Sequence, residues 1–238
     1  RTCHGLACLP MSAFVTDGST DDRPDSGSSS ERVSAHSGLP LTGERTVPGL
    51  DIENYWFRRH EVVYQRLAGH CTGRDVLEAG FGEGYGADLL AGVARRVTGV
   101  DYDESAVAHV RARYPRVDAL QGNLAALPLP DASVDVVVNF QVIEHLWDQS
   151  QFIAECRRVL RPGGRLLIST PNRITFTPGG DTPVNPFHTR ELNAAELTEL
   201  LVDGGFAIDG IYGAFHGAAL RALDARHGGS IIDAQIAR

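Results

Sequence analysis

Apolar positions change their period along the chain, and the changes mark out elements. From Asp51 to Leu67, the residues Ile52, Tyr55, Trp56, Val63 and Leu67 recur at helical spacing and predict an amphipathic helix. Short apolar runs then alternate with helical patterns: strand Asp75 to Ala79, helix from about Tyr85 to Val93, strand Arg96 to Asp101, helix Glu104 to Arg113, and strands Val117 to Gln121 and Val134 to Phe140. Phe152, Ile153, Cys156, Val159 and Leu160 form one stripe of a helix from Gln149 to Leu160, which Pro162-Gly163-Gly164 is expected to end before strand Arg165 to Thr170. Val136-Val137-Val138 and Leu166-Leu167-Ile168 are continuous apolar runs, as in parallel strands covered on both faces. This order predicts an α/β fold with a Rossmann-like, doubly wound, mostly parallel sheet. Helix Ala194 to Val202 and strand Phe206 to Tyr212 follow; a final strand is only weakly present in Ser230 to Ala237, as expected of a truncated C-terminus.

Composition refines that outline. Residues 1–38, crowded with Ser, Asp and Gly, lack the apolar residues that offset ordering entropy, so a disordered tail is expected, followed by one domain over 39–238 whose segment 39–70 serves as a lid. Lys+Arg of 22 against Asp+Glu of 30 gives a net charge of −8 without a basic stripe, which argues against nucleic acid and for a small acceptor. Cys3, Cys8, Cys71 and Cys156 form no CxxC pair and suggest neither zinc nor disulfides. No run reaches the roughly 18 apolar residues of a membrane span, and no leader pattern opens the chain, so a cytoplasmic protein is expected.

The chemistry concentrates in Glu78-Ala79-Gly80-Phe81-Gly82-Glu83-Gly84-Tyr85-Gly86, where glycines directly follow a strand and precede a helix. A tight turn beside a nucleotide-like cofactor requires residues without Cβ there. A dinucleotide fingerprint starting at the strand end would need Gly at 85, where this chain has Tyr, although the shifted frame Gly82, Gly84, Ala87 meets the looser pattern. Glu78 and Glu83 would repel a pyrophosphate but suit the ammonium and sulfonium of S-adenosylmethionine (SAM). Asp101, at the end of the second strand, is placed to accept ribose hydroxyls; it could also open the helix at Glu104.

The segment Val76 to Gly84 resembles the first motif of class I SAM-dependent methyltransferases. The similarity continues through Gly99-Val100-Asp101, Gly122-Asn123-Leu124, Val142 to Leu146 and Arg158 to Gly164. The resemblance implies that Gly80, Gly82 and Gly84 line the cofactor, Tyr102 packs on the adenine, Asn123 and the Leu124 amide read its edge, Gln141 borders the site, and Glu78 orients the loop or the amino group. Asn123 stands where the family usually has Asp. Gly43-Glu44-Arg45, Ile143 to Leu146, Ser169 to Asn172 and Asn185 to His188 resemble the methyltransferase type 11 and ubiquinone-biosynthesis-like subgroup, associated with saccharide and cell-envelope assembly. Asn54 to His60 and Asp224 to Gly229 are similar to actinobacterial methyltransferases linked to methylglucose lipopolysaccharide.

The implied reaction is SAM-dependent O-methylation of a saccharide or related hydroxyl, hence a role in polysaccharide biosynthesis. An NAD(P)-dependent oxidoreductase and a non-catalytic SAM-binding module are the alternatives. Glu144 and His145 follow the fourth strand at the crevice where open α/β sheets bind ligands, and His188 lies in a Pro-flanked loop beyond the fifth. Either His145 or His188 acts as general base. Alternatively Glu144, His145 and His188, with Gln141, gather Mg²⁺: Gln141 to His145 resembles a Glu-x-x-Glu-His metal motif in which Gln replaces the first Glu. A purely structural role, with Glu144 capping a short helix and His145 packing under the cofactor, is the third possibility. Tyr55 and Trp56 could stack on a sugar or belong to a core-facing stripe.

Overall fold

A computed structural model describes residues 39, 45–50, 54–180, 182–226 and 228. The tail expected over 1–38 and the weak strand at 230–237 lie outside these residues. Helix α1 (Asn54–Leu67) leads through a 3-10 turn (Ala68–Cys71) into β1 (Asp75–Ala79), α2 (Tyr85–Ala91), β2 (Arg96–Asp101), α3 (Glu104–Arg113), β3 (Val117–Gln121) and β4 (Val134–Phe140). A second 3-10 turn (Ile143–His145), α4 (Gln149–Val159), β5 (Leu160–Ser169), α5 (Arg173–Phe176), α6 (Ala194–Asp203) and α7 (Ala218–Arg226) complete the order.

The five strands pair in parallel in the order β3-β2-β1-β4-β5. β1 therefore sits centrally, with Val76 opposite both Val97 and Val136, and its residues feed two cores. Val76, Val97, Val136 and Val138 face Tyr64 of α1, Leu90 of α2 and Val107 and Val110 of α3. Leu77, Ala79, Val100 and Val137 face Phe152, Ile153, Cys156 and Val159 of α4 and Leu201 of α6. Burying a side chain such as Phe152 contributes roughly 1.5–3 kcal/mol. The chain reverses its direction of winding between β1 and β4, and open α/β sheets bind ligands beyond the strand ends at such a point.

Two expectations need correction. Helix α4 ends near the expected place, but β5 begins at once with Leu160 and takes in Pro162-Gly163-Gly164, because Leu160 pairs with Val134 and a register shift before Val136 absorbs the irregular residues. The alternating segment Phe206 to Tyr212 forms no strand: it finds no ladder partner among the described residues, and Ile211, Tyr212 and Phe215 stay exposed. No helix of the described residues is long and apolar enough to cross a membrane. Cys71 and Cys156 are buried free thiols; Cys3 and Cys8 lie outside the described residues.

Candidate active site

The loop between β1 and α2 turns on three glycines in the left-handed region: Gly80 (φ 85°), Gly82 (φ 55°) and Gly84 (φ 96°). They answer to different neighbours. A Cβ on Gly84 would lie 2.4 Å from Val110 of α3, so its demand for glycine comes from packing behind the loop. At Gly82 a Cβ would meet only the Cβ of Arg45, at 3.6 Å.

Glu83 faces away from the expected cofactor. Its buried carboxylate accepts from His109 Nε2 (3.0 Å), the Tyr114 hydroxyl (2.9 Å) and the Tyr85 amide (3.2 Å), tying the loop to α3 and the residue after it. The reading of Glu83 as a charge beside the cofactor is therefore corrected: a carboxylate at a close-packed turn needs donors, and those of α3 are nearest.

Glu78 and Asp101 do reach the strand ends. Glu78 is buried, its Oε1 accepting from the Tyr64 hydroxyl at 2.5 Å, while its Oε2 is buried without a hydrogen-bond partner. Burial raises its pKa to about 8, and the nearby Asp101 charge adds to the rise. Asp101 accepts the Gly82 amide on Oδ2 (2.9 Å) and the Asp103 amide on Oδ1 (3.0 Å), which fixes the carboxylate against the loop; burial raises its pKa too. Asp103 caps α3 through the Ser105 amide and pairs with Arg45 at 2.6 Å, and the Arg45 guanidinium lowers it to about 2. Arg45 Nη1 is also buried without a partner. Tyr102 is 81% exposed beside Asp101. Asn123 spends its carbonyl on the Ala125 amide (2.9 Å), closing a turn that buries Leu124.

The second half of the site follows β4. Gln141 holds a left-handed backbone (φ 58°) and donates its side-chain amide to Ser169 Oγ at 3.1 Å. Such a conformation costs a non-glycine residue energy and clusters at functional sites. The 3-10 turn then buries Glu144, whose Oε2 accepts from Thr170 Oγ1 (3.0 Å) and whose pKa burial raises to about 8. His145 Nδ1 donates to the Phe187 carbonyl (3.0 Å), leaving Nε2 as the basic nitrogen; burial, then His188, lowers its pKa.

His188 packs 4.8 Å from His145, ring centre to ring centre, at 84°. Its Nδ1 is 2.6 Å from the buried Glu191 Oε1, and Glu191 Oε2 accepts from Thr177 Oγ1 at 2.7 Å. One potential ligand atom from each of Glu144, His145 and His188 lies within 4.8 Å of the others. Sequence reasoning missed Glu191; a carboxylate three residues beyond His188 was the available signal. It also left aside His216, whose Nε2 is 2.7 Å from the Tyr55 hydroxyl. Trp56 of α1 meets Phe176 at 6.1 Å, and Phe176 lies 5.8 Å from His188, so α1 reaches the histidine pair through an aromatic relay.

A family profile described as a methyltransferase domain matches residues 77–168, from the middle of β1 to the end of β5. A probable S-adenosylmethionine-dependent methyltransferase of Mycolicibacterium smegmatis is 78% identical over 202 residues, which cover 85% of this chain and 79% of that protein. The chain belongs to the SAM-dependent methyltransferases. Among more distant members, phthiotriol/phenolphthiotriol dimycocerosates methyltransferase 1 of Mycobacterium ulcerans is 32% identical over 156 residues (61% of this chain, 58% of that one). The fold matches the crystal structure of a SAM-dependent methyltransferase from Mesorhizobium loti with a TM-score of 0.60 at 18% identity, over 71% of this chain and 90% of that one. Membership makes this methyltransferase an enzyme with SAM as methyl donor and sets the dinucleotide alternative aside. The residues suit the donor: an unpartnered carboxyl oxygen (Glu78) and an unpartnered guanidinium nitrogen (Arg45) complement the ammonium and carboxylate of an amino-acid group.

Proposed function

We propose that this methyltransferase is an O-methyltransferase for a hydroxyl of a saccharide or related small molecule. Glu78, Gly80, Gly82, Gly84, Asp101, Tyr102, Asn123, Leu124 and Gln141 surround the SAM site, and Glu144, His145 and His188 form the acceptor side. The observation that carries the reading is the His188–Glu191 pair: a buried carboxylate 2.6 Å from Nδ1 holds the ring with Nε2 as the basic nitrogen, as a general base requires. His188 takes the acceptor's hydroxyl proton, the oxygen attacks the methyl carbon, and the carbon–sulfur electron pair returns to sulfur, giving the methyl ether and S-adenosylhomocysteine. His145, with its proton on Nδ1, presents a second accepting Nε2 on the acceptor side, the alternative base for that proton. The Trp56–Phe176 relay supports a ring-shaped acceptor beside His188. The similarity to a methyltransferase whose name carries a triol supports a hydroxyl acceptor in general.

Labelled SAM offered with short glucan and mannan oligosaccharides tests the acceptor class. Label in a saccharide supports the reading; transfer only to amine or carboxylate acceptors overturns it. Glu191→Gln is expected to lower kcat about 100- to 10,000-fold with KM for SAM unchanged, as loss of the carboxylate that orients a catalytic imidazole costs. A proportionate rise in KM for SAM refutes the dyad.

The clustering of Glu144, His145 and His188 favours a second reading, in which these residues with Gln141 hold Mg²⁺. Both histidines have their Nδ1 engaged and Nε2 oriented by a partner, the pattern of metal-binding imidazoles. A bound cation would orient and acidify the hydroxyl. Activity that survives EDTA and gains nothing from added Mg²⁺ or Mn²⁺ eliminates this reading.

A further inference from the structure

We infer that Arg45 holds the carboxylate of SAM's methionyl group through Nη1. Four observations converge on it. Nη2 is committed to Asp103 at 2.6 Å, whereas Nη1 is buried without a partner, and a buried guanidinium nitrogen left unpaired is costly. The Cβ of Arg45 is the atom that a Cβ on Gly82 would meet, so the side chain starts directly over the glycine loop. Its charge is felt by Asp101 across that loop. Across the site, Glu78 Oε2 is likewise buried and unpaired.

The charge distribution selects the ligand group. The anionic Asp101 and Asp103, with the buried carboxyls of Glu78 and Glu144 at neighbouring strand ends, form an oxygen-lined crescent favourable to the ammonium and sulfonium of SAM and repulsive to its one anion. Arg45 is the cation the structure inserts into that crescent, and Asp103 fixes its fork. Glu78 Oε2 and Arg45 Nη1 then take the two charged ends of the same amino-acid moiety, while Asp101 remains for the ribose. The assignment rests on the cofactor-loop reading and is independent of the acceptor.

The test compares two ligands by calorimetry on the full chain: S-adenosylhomocysteine, which carries the amino-acid group, and 5′-methylthioadenosine, which lacks it. Arg45→Ala is expected to weaken S-adenosylhomocysteine about 10- to 100-fold, the usual size of a lost charge-assisted hydrogen bond. It should leave methylthioadenosine within twofold, which also reports that the variant is folded. Arg45→Lys should recover part of the loss, and Arg45→Gln serves the same comparison if the alanine variant is unstable. Equal weakening of both ligands overturns the assignment in favour of a packing role through Asp103, as does no weakening of either. A wild-type protein that binds neither ligand overturns the loop reading itself, and this assignment with it.

Discussion

Glu78→Gln probes a buried, strongly perturbed carboxyl near the end of β1. Burial holds Glu78 at about 8 against an ordinary value of 4.5, so in the folded protein it keeps its proton through neutrality while the unfolded chain releases it. Below pH 4.5 both states bind the proton and the group contributes nothing to the pH dependence. Between 4.5 and 8 the folded state binds more protons than the unfolded, so stability falls as pH rises, by about 1.4 kcal/mol per unit. From pH 5 to pH 8 the wild type therefore loses on the order of 4 kcal/mol through this residue. Glutamine cannot titrate and still accepts the Tyr64 hydroxyl, but it places an NH2 where Oε2 now lies unpartnered, a constant cost of about 1–3 kcal/mol. The variant should melt below the wild type at pH 5 and close the gap or overtake it at pH 8. The difference in Tm should move by roughly 10 °C across the range, at about 2–4 °C per kcal/mol for a domain of this size. Titrations of groups that do not interact with Glu78 cancel in that difference, and Asp101 is the coupled neighbour that does not. Melting curves that stay parallel from pH 5 to pH 8 refute a neutral, buried Glu78.

Gly84→Ala combines a left-handed backbone with a Cβ 2.4 Å from Val110, and should cost about 2–4 kcal/mol, read as a lower Tm in calorimetry. Asp101→Ala should chiefly raise the dissociation constant for S-adenosylhomocysteine, whereas His145→Ala should lower kcat at nearly unchanged cofactor affinity; equal and small effects from both would contradict the division of the site into cofactor and acceptor halves.

The parts of the fold governed by local pattern were legible in the sequence. Strands β2, β3 and β4 fall on the expected residues because their apolar runs are bounded by charge and glycine, and α3 starts where Asp103 can cap it. What the pattern could not supply was pairing at a distance. Phe206 to Tyr212 alternates like a strand yet has no ladder to join, and β5 incorporates Pro162-Gly163-Gly164 because β4 offers a register that tolerates it. The site divides in the same way. Glu78, Asp101 and Glu144 were visible from strand-end position, but Glu83 was misread because its partners His109 and Tyr114 lie 26 and 31 residues away. Glu191 and Arg45 lie in irregular segments, where no periodicity distinguishes a buried charge from a solvated one.

The anchoring of Glu83 to His109 and Tyr114 has a consequence for how this enzyme can vary. On the proposed placement of SAM, the loop beside it is shaped from behind, by α3 and the residue that follows it, and part of the ordering entropy of binding is met when the chain folds. Cofactor affinity and the packing of α3 thus become a single trait. Substitutions on that helix would then tune the affinity for SAM through the loop they brace.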